Sequence, residues 1–428
     1  MVRRLIGLLA AGVVLTCLAG VLIYYLPPVH SRLAWRVENL RVQIRRAINP
    51  PEEAVFVPQQ QLEAAVQATL QAMTVTAILP TVTPTATPTQ AMPATRLPSP
   101  TPTPIPGQVS LSGIRHEYQT FNNCGPANLA MTLSFWGWQG DQRDTAAYLR
   151  PGEFDKNVMP AEMVAFVNEK TDLKAVSRVG GDLETIKRFI AAGFPVLIEK
   201  GYDPEHDDWM GHYLTLNAYD DSQNLFTAQD SLIMPDFPLP YQTVEERWRD
   251  FNFVYVIVYP PEREAEVMTI LETQADESQN YQAAAQLDSQ ETSTLSGRDL
   301  YFAWFNLGSN LVALEDYAGA AQAFDSAFAV YPSIPEGERP WRVMWYRVEP
   351  YVAYYQTGRY QDVINLANNT FFALGEYTLE ESFYWRGLAN QALGNVNEAI
   401  FDLRKVLELN PNFSLAREAL RGLGVEAP

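Results

Sequence analysis

The distribution of hydrophobic and polar residues changes several times along the chain, and each pattern predicts a different kind of element. Residues 5–26 carry no charged side chain, and Pro27 and Pro28 follow them directly. A run of this length can cross a bilayer, since about 20 apolar residues span its hydrocarbon core. We therefore expect a cytoplasmic tip and one retained transmembrane helix within residues 1–28, with a cleaved signal peptide as the alternative.

The next two stretches predict helices and then a linker. Residues 29–79 place apolar side chains at helical spacing, as at Leu33, Val37 and Leu40, which predicts amphipathic juxtamembrane helices. Residues 80–107 consist largely of Thr and Pro and cannot form a hydrophobic core. We expect this stretch to be an extended spacer of polyproline type.

Helical and strand patterns are mixed between residues 108 and 260. Apolar residues at helical spacing predict helices at 127–136, 161–169 and 183–192. Runs rich in β-branched and aromatic residues predict strands at 194–199, 213–219, 225–228 and 253–259. This order predicts an α+β domain in which helices pack on one antiparallel sheet.

From residue 299 onward the pattern is entirely helical and repeats with a period near 34 residues. Small residues recur where two helices of one repeat must cross closely, at Gly308, Ala320 and Ala327 and again at Gly387, Gly394 and Ala399. This is the tetratricopeptide pattern, which predicts an all-α solenoid over residues 299–428. The spacing implies an insertion at 333–342 and a degenerate repeat at 344–375, while residues 261–298 are predicted to form a connecting helix.

Charge narrows the possible partners and bears on the orientation in a membrane. The chain has a formal net charge of −19, although its first 50 residues are rich in arginine. The acidic remainder argues against nucleic acid as a partner. Arg3 and Arg4 before the apolar run favour a cytoplasmic N-terminus, whereas the arginines after it favour the opposite orientation. We choose the first, because the Thr/Pro-rich stretch is typical of extracytoplasmic linkers, and expect the folded domains outside the cytoplasm at the cell membrane.

Cys124 is the only cysteine outside the N-terminal apolar run, and a helix is predicted to begin at this point. The unpaired N–H groups and the positive end of the helix dipole at such a position stabilise a thiolate. A lone cysteine with a histidine and a carboxylate downstream is a candidate nucleophile. The alternative is a buried structural cysteine.

His212 and Asp230 are the candidate partners of this cysteine. They lie on predicted strands that flank a short turn at residues 220–222, and they stand opposite each other if the turn is centred on its middle residue. His212 is then the base that takes and returns the proton, and Asp230 orients the imidazole. Gln119 and the backbone N–H of Cys124 are candidate donors to the oxyanion. A polar loop residue is the alternative for Gln119.

The remaining polar groups offer little further chemistry. The acidic loop at residues 203–208 lacks the ligand spacing of a calcium loop and is expected to be a solvated charged loop. His116 is expected to be a surface or packing residue. We therefore expect neither a cofactor nor a metal ion.

The motif Gln119-x4-Cys124-Gly125-Pro126-Ala127 is followed by Gly211-His212-Tyr213 and by Gln229-Asp230-Ser231. Together these motifs resemble the papain-like cysteine peptidases that cleave double-glycine leaders from bacteriocin precursors, and among these the stand-alone relatives more than the transporter-fused forms. The resemblance covers the α+β domain at residues 108–260. It implies a papain-like fold with Gln119 in the oxyanion hole, Cys124 as nucleophile, His212 as base and Asp230 as the orienting residue.

These observations predict a membrane-tethered, extracytoplasmic cysteine peptidase. Residues 108–260 are expected to perform the chemistry, while the repeats hold a peptide substrate or a protein partner in their concave groove. Two alternatives stay open. One is a non-catalytic peptide-binding module on the same fold, and the other is an amidase or another acyl-transfer enzyme that uses the same triad.

Overall fold

The computed structural model describes residues 20, 24–25, 29, 55–59, 61–63, 105–152, 157–205, 207–374 and 378–426. Within these ranges no helix is both long enough and apolar enough to cross a membrane. The predicted transmembrane helix at residues 5–26 falls almost entirely outside the described residues, as do residues 80–104 of the predicted linker and most of residues 29–79.

A seven-stranded antiparallel sheet forms the centre of the α+β domain. Its strand order is β2–β7–β3–β4–β5–β6, and β1 pairs with β4 at one end. The strands are β1 (Gln108–Ser110), β2 (Lys174–Arg178), β3 (Val196–Tyr202), β4 (Met210–Asp220), β5 (Leu225–Gln229), β6 (Phe237–Pro240) and β7 (Tyr255–Tyr259).

Helices cover both faces of this sheet. Those that pack on one face or beside it are α1 (Cys124–Phe135), α2 (Gln142–Leu149) and α3 (Pro160–Lys170); those on the other face are α4 (Leu183–Ala191), α5 (Tyr241–Trp248) and α6 (Glu264–Leu271). Strand β7 therefore has no polar face, because Val256 and Val258 enter one core while Tyr255 and Ile257 enter the other. The predicted α+β class is confirmed.

The strands that the sequence patterns missed include both ends of this strand order. Strand β2 has the mainly polar sequence Lys-Ala-Val-Ser-Arg, and β6 contains two prolines. Edge strands tolerate charge and proline because one row of their backbone groups faces away from the sheet. Helices α2 and α5 were also missed, since each is short and mostly polar.

The C-terminal region is a stack of helical hairpins, as predicted. It contains α7 (Glu277–Glu291), α8 (Gly297–Ala313), α9 (Tyr317–Val330), α10 (Glu349–Gln356), α11 (Tyr360–Leu374), α12 (Glu380–Ala392), α13 (Val396–Leu409) and α14 (Ser414–Gly422). The insertion between the first two hairpins consists of short 3₁₀ turns. The single connecting helix predicted over residues 261–298 is wrong, because this interval holds α6, which packs on the sheet, and α7, which packs on α8.

The two regions share one hydrophobic core. Trp209 and Phe251 of the α+β domain stack with ring centroids 5.7 Å apart, and the Trp209 ring lies 5.5 Å from Phe302 of helix α8. Nearby, Asn252 and Asn310 exchange hydrogen bonds of 2.7 and 3.2 Å between buried amides. The described regions therefore form one continuous body rather than two independent domains.

Candidate active site

Cys124 is the first residue of helix α1 and is partly buried. The next residue, Gly125, packs so closely that an added Cβ would lie 2.9 Å from Met163 and 3.2 Å from Val158. A side chain at this position would require the end of the Met163 side chain and the Val158 side chain to shift, so the start of α1 is closely packed next to the nucleophile.

The loop before Cys124 is held by a buried glutamine of helix α2. Gln142 Oε1 accepts hydrogen bonds from the Thr120 N–H (2.8 Å) and from Asn123 Nδ2 (2.9 Å), and its Nε2 donates to the Tyr118 carbonyl (2.8 Å). Three points of attachment fix the approach to the helix start. No sequence motif pointed to Gln142, because its partners lie about 20 residues upstream on a different element.

His212 and Asp230 are in contact. The His212 Nε2 atom lies 2.9 Å from Asp230 Oδ1, and the two side chains are 2% and 1% exposed. Because Nε2 faces the carboxylate, Nδ1 is the ring nitrogen left for the hydrogen bond with Cys124. The structure thus brings the three side chains together in the order thiol, imidazole, carboxylate.

The route by which His212 and Asp230 meet differs from the predicted one. The hairpin turn spans residues 221–224, and the pairing shifts by one residue at a bulge between Leu216 and Ala218. Thr215 and Gln229 are the last paired residues, so His212 and Asp230 are not directly opposite, and the predicted register was wrong. Asp230 instead lies just beyond the end of β5 and reaches back along β4.

The loop that follows Asp230 fixes its side chain. Asp230 Oδ1 also accepts hydrogen bonds from the N–H groups of Leu232 (2.8 Å) and Ile233 (3.0 Å). Burial raises the pKa of the Asp230 carboxyl, but the charge and hydrogen bond of His212 and these two N–H groups outweigh that effect. The pKa of Asp230 lies below its ordinary value, so the carboxylate is ionised at neutral pH.

The electrostatics of the site favour a charged thiolate–imidazolium pair. Burial of His212 disfavours its charged form, yet the charge and hydrogen bond of Asp230, together with Cys124, raise the pKa of the imidazole to about 9. Burial likewise raises the pKa of the Cys124 thiol, but its hydrogen bond to His212, the charge of that ring and backbone hydrogen bonds at Tyr213 and Gly125 bring it below its ordinary value. Such a pair is a reactive nucleophile at neutral pH.

Gln119 belongs to a hydrogen-bond chain that orients its amide. Asn128 Nδ2 donates to Ser231 Oγ (2.9 Å), and Ser231 Oγ donates to Gln119 Oε1 (2.8 Å). The Gln119 N–H also bonds to the Ser231 carbonyl (2.9 Å). With its oxygen engaged, the amide presents Nε2 as a free pair of donors. Asn128 lies one turn after Cys124 and also donates to the Cys124 carbonyl (2.9 Å). Helix α1 therefore carries both the Cys124 thiol and Asn128, the first donor in this series of hydrogen bonds.

A buried carboxyl group lies near the thiolate and was missed by the sequence patterns. Glu199, on β3, pairs across the strands with Tyr213 and is 5% exposed. Burial raises the pKa of Glu199 well above its ordinary value, and the nearby Cys124 thiolate acts in the same direction. A neutral Glu199 can donate to the Tyr213 hydroxyl, which itself donates to the Val158 carbonyl (2.8 Å). This arrangement keeps a second negative charge away from the nucleophile.

The insertion of the repeat region borders the site. The Tyr346 ring packs so closely on β4 that a Cβ added at Gly211, the residue before His212, would lie 3.0 Å from it. Arg342 of the same insertion is 2% exposed and pairs with Asp207 (2.7 Å) and Asp208 (3.3 Å). The interpretation of residues 203–208 as a solvated loop was therefore wrong for Asp207, whose side chain is 6% exposed, whereas Asp203 and Glu205 are exposed as expected.

The other candidates lie away from the reacting atoms or outside the described residues. His116 Nδ1 is 3.2 Å from Gln229 Oε1, and its ring packs edge-on against Tyr118. His206 is not among the described residues. Within the ranges that the structure describes, no group of three His, Cys, Asp or Glu side chains is arranged to hold a metal ion.

Comparison with known proteins gives a family for each of the two regions. Residues 110–256 match the Peptidase_C39 like family, and residues 380–413 match the tetratricopeptide repeat. Both agree with the resemblance that the sequence motifs suggested. No curated protein matches the chain.

Two solved structures are similar to the first region. One is classed as a C39-like peptidase from Bacillus anthracis; it is 20% identical, with 36% of this chain and 96% of that chain covered and a TM-score of 0.29. The other is a double-glycine motif protease from an AMS/PCAT transporter in complex with its leader peptide; it is 13% identical, with 36% and 97% covered and a TM-score of 0.27.

Proposed function

We propose that this chain, which joins a C39-like peptidase domain to tetratricopeptide repeats, is a cysteine peptidase that hydrolyses peptide bonds through Cys124, His212 and Asp230. The single observation that carries the proposal is the 2.9 Å contact between the buried side chains of His212 and Asp230, while the other ring nitrogen of His212 forms a hydrogen bond with Cys124. A merely structural cysteine needs no such charged partners.

The proposed reaction proceeds in two halves. The Cys124 thiolate attacks the carbonyl carbon of the scissile bond, and the carbonyl electron pair moves onto oxygen. When the C–N bond breaks, the leaving amine takes the proton from His212 Nδ1, and a thioester to Cys124 remains. Water then attacks the thioester while His212 accepts one of its protons, and breaking of the C–S bond restores the thiolate. The product leaves as a carboxylic acid, which loses its proton to the solvent. Asp230 keeps the imidazole oriented and stabilises its charged form throughout.

The developing oxyanion needs donors that are already in place. Helix α1 begins at Cys124, so the N–H of this residue has no acceptor within the helix. Gln119 Nε2 is the proposed second donor, because Ser231 already occupies the amide oxygen. Donors fixed before the reaction stabilise the transition state more than donors that must reorganise.

Covalent labelling tests this proposal. A peptide vinyl sulfone should add once to the full-length protein, at Cys124, as read by intact mass and peptide mapping. The variant His212→Ala should lose most of this labelling while its unfolding temperature shows that it is folded. Absence of an adduct on the wild type, or equal labelling of the two proteins, would refute the assignment.

We also propose that residues 5–26 are retained as a single-pass membrane anchor and that the folded regions lie outside the cytoplasm. The support is the length of this uncharged run, which matches a bilayer core. Protease treatment of intact cells that carry a C-terminal tag distinguishes the two orientations. The tag should be removed without lysis, and protection of the tag until lysis would reverse the topology.

A further inference from the structure

A short segment far upstream of the peptidase domain lies on the repeat region. Residues 55–58 belong to no helix or strand, and their exposure alternates along the chain: Phe56 and Pro58 are buried, whereas Val55 and Val57 are exposed. An extended peptide shows this alternation when one of its faces packs against a surface. The segment therefore binds the repeats in the manner of a peptide ligand.

Phe56 is the apolar contact of this segment. Its ring is 7% exposed and lies edge-on to Phe328 of helix α9, with centroids 4.9 Å apart and an interplanar angle of 78°. The ring of Tyr354, on helix α10, lies 6.2 Å away on another side. Phe56 thus enters the core between two consecutive helical hairpins, although both lie more than 200 residues downstream of it.

Polar contacts fix the register of the segment. The Gln59 N–H donates to Asp362 Oδ1 at 2.8 Å, and Gln61 Nε2 donates to the Asp325 carbonyl at 2.6 Å. After Pro58 the chain turns into a short helical piece, in which the N–H groups of Gln61 and Leu62 bond to the Pro58 carbonyl. The segment is therefore held by its backbone and its side chains together.

The receptor groups are ordered by contacts within the repeats. Arg359 Nε bonds to Asp362 Oδ2 at 2.8 Å, and its two terminal nitrogens bond to the Asp325 carboxylate at 2.8 and 3.0 Å. The Arg359 guanidinium also lies over the Tyr354 ring, 4.2 Å from its centroid. A rigid site whose acceptor, Asp362 Oδ1, points at an incoming N–H is a preorganised peptide site.

We infer that the repeats serve as an intramolecular receptor whose ligand is the chain's own segment 55–63. Residues 64–104, which include most of the Thr/Pro-rich stretch, then connect two points on the same folded body. The body is attached to the N-terminal apolar run through residues 27–54 rather than through residues 27–104. The pocket around Phe56 is consequently unavailable to a substrate peptide while the segment is bound. This inference does not depend on the proposed peptidase activity.

A cut in the connecting stretch tests the inference. In the full-length protein, a recognition sequence for a specific protease replaces residues 88–94, and a C-terminal tag allows capture after cleavage in detergent. The N-terminal fragment should stay with the tagged body. Phe56→Ala should increase its release at least tenfold, whereas Leu62→Ala, at a residue that is 56% exposed, should not change it. Release of the unmutated fragment as fast as the Phe56→Ala fragment would overturn the inference.

Two further measurements identify the contact. A synthetic peptide of residues 53–64 should displace the fragment, and the same peptide with Phe56→Ala should not. Before cleavage, copies that carry different tags should not capture one another, because each segment occupies the repeats of its own chain. Capture between uncut copies that Phe56→Ala abolishes, or equal displacement by both peptides, would show that this segment does not bind its own repeats through Phe56.

Discussion

Replacing Asp230 by Asn separates the charge of this residue from its shape. Asp230 Oδ1 accepts the hydrogen bond of His212 and those of two backbone N–H groups, and an asparagine oxygen can accept in the same place. The variant loses the negative charge that raises the pKa of His212 to about 9 against the opposing effect of burial. We therefore expect the fold to survive and the charge state of the site to change.

The size of the change follows from the pKa of His212. A rise from 6.5 to about 9 corresponds to roughly 3 kcal/mol in favour of the imidazolium. Without the carboxylate, burial opposes the remaining effect of Cys124 and brings the pKa of His212 back toward its ordinary value of 6.5. At pH 7.5 the imidazolium fraction should then fall about tenfold, and the thiolate that it stabilises should fall with it. Cys124 and His212 titrate as a pair, so a lower pKa of the imidazole is accompanied by a higher pKa of the thiol.

Alkylation of Cys124 by iodoacetamide between pH 5 and 10 measures this shift directly, with Cys17→Ser as the background and intact mass as the readout. The rate profile of Asp230→Asn should move to higher pH by about 2 units. Asp220→Asn is the matched control, because the same change at the far end of the hairpin should leave the profile of the wild type intact. Superimposable profiles for Asp230→Asn and the wild type would refute the electrostatic account.

Three further changes test the orientation of Gln119, the cost of burying Asp250 and the contact between the two regions. Ser231→Ala removes the donor that holds Gln119 Oε1 and should lower kcat roughly tenfold with little change in KM, as steady-state kinetics would show. Asp250 is buried with a pKa raised to about 8, so Asp250→Asn should raise the free energy of unfolding at pH 8 by roughly 1–4 kcal/mol in denaturant titrations. Deletion of residues 299–428 exposes Trp209 and Phe251 and should lower the unfolding temperature and the turnover of short peptides together.

A different outcome in any of the three experiments would identify which contact has been misjudged. An unchanged kcat in Ser231→Ala would mean that Gln119 needs no orientation. For Asp250 the unfolded carboxyl ionises near pH 4 and the folded one near 8, so the wild type loses stability across that interval and the loss is constant above it. An advantage of Asp250→Asn that persists at pH 4 would contradict this cause. A soluble truncated protein with normal turnover would show that the repeats only hold substrate, as the sequence alone suggested.

The fold class and the juxtaposition of His212 with Asp230 were predictable, but the pairing between their strands was not. Strand β4 is buried from Gly211 to Tyr219, so no alternation between a buried and an exposed face specifies its register. The bulge near Asn217 and the left-handed conformation of Asn224 (φ 53°) in the turn each alter the count of paired residues. Neither has a sequence signal strong enough to place it. The side chains of His212 and Asp230 still meet, because Asp230 follows the last residue of β5 that pairs with β4 and is not held in the register of the two strands.

Contacts between distant parts of the chain were invisible to local patterns. The acidic loop at residues 203–208 looks solvated because it contains no lysine or arginine. Its partners are Arg247, Arg298 and Arg342, which the fold brings from other elements. Segment 55–63 likewise carries no motif, and only its contacts with Phe328, Asp362 and other residues of the repeats reveal where it binds. Pairings of this kind depend on the assembled fold rather than on the sequence near each residue.

Hydrolysis in H₂¹⁸O shows whether Cys124 forms a thioester that water resolves. The full-length protein and its Cys124→Ala variant are each incubated with a mixture of proteome-derived peptides, and the products are sequenced by mass spectrometry. We expect new C-termini that carry one ¹⁸O atom and that are absent with Cys124→Ala, because water resolves the thioester. New C-termini that form equally with Cys124→Ala, or Cys124-dependent products joined through new amide bonds without ¹⁸O, would contradict the assignment of a cysteine peptidase.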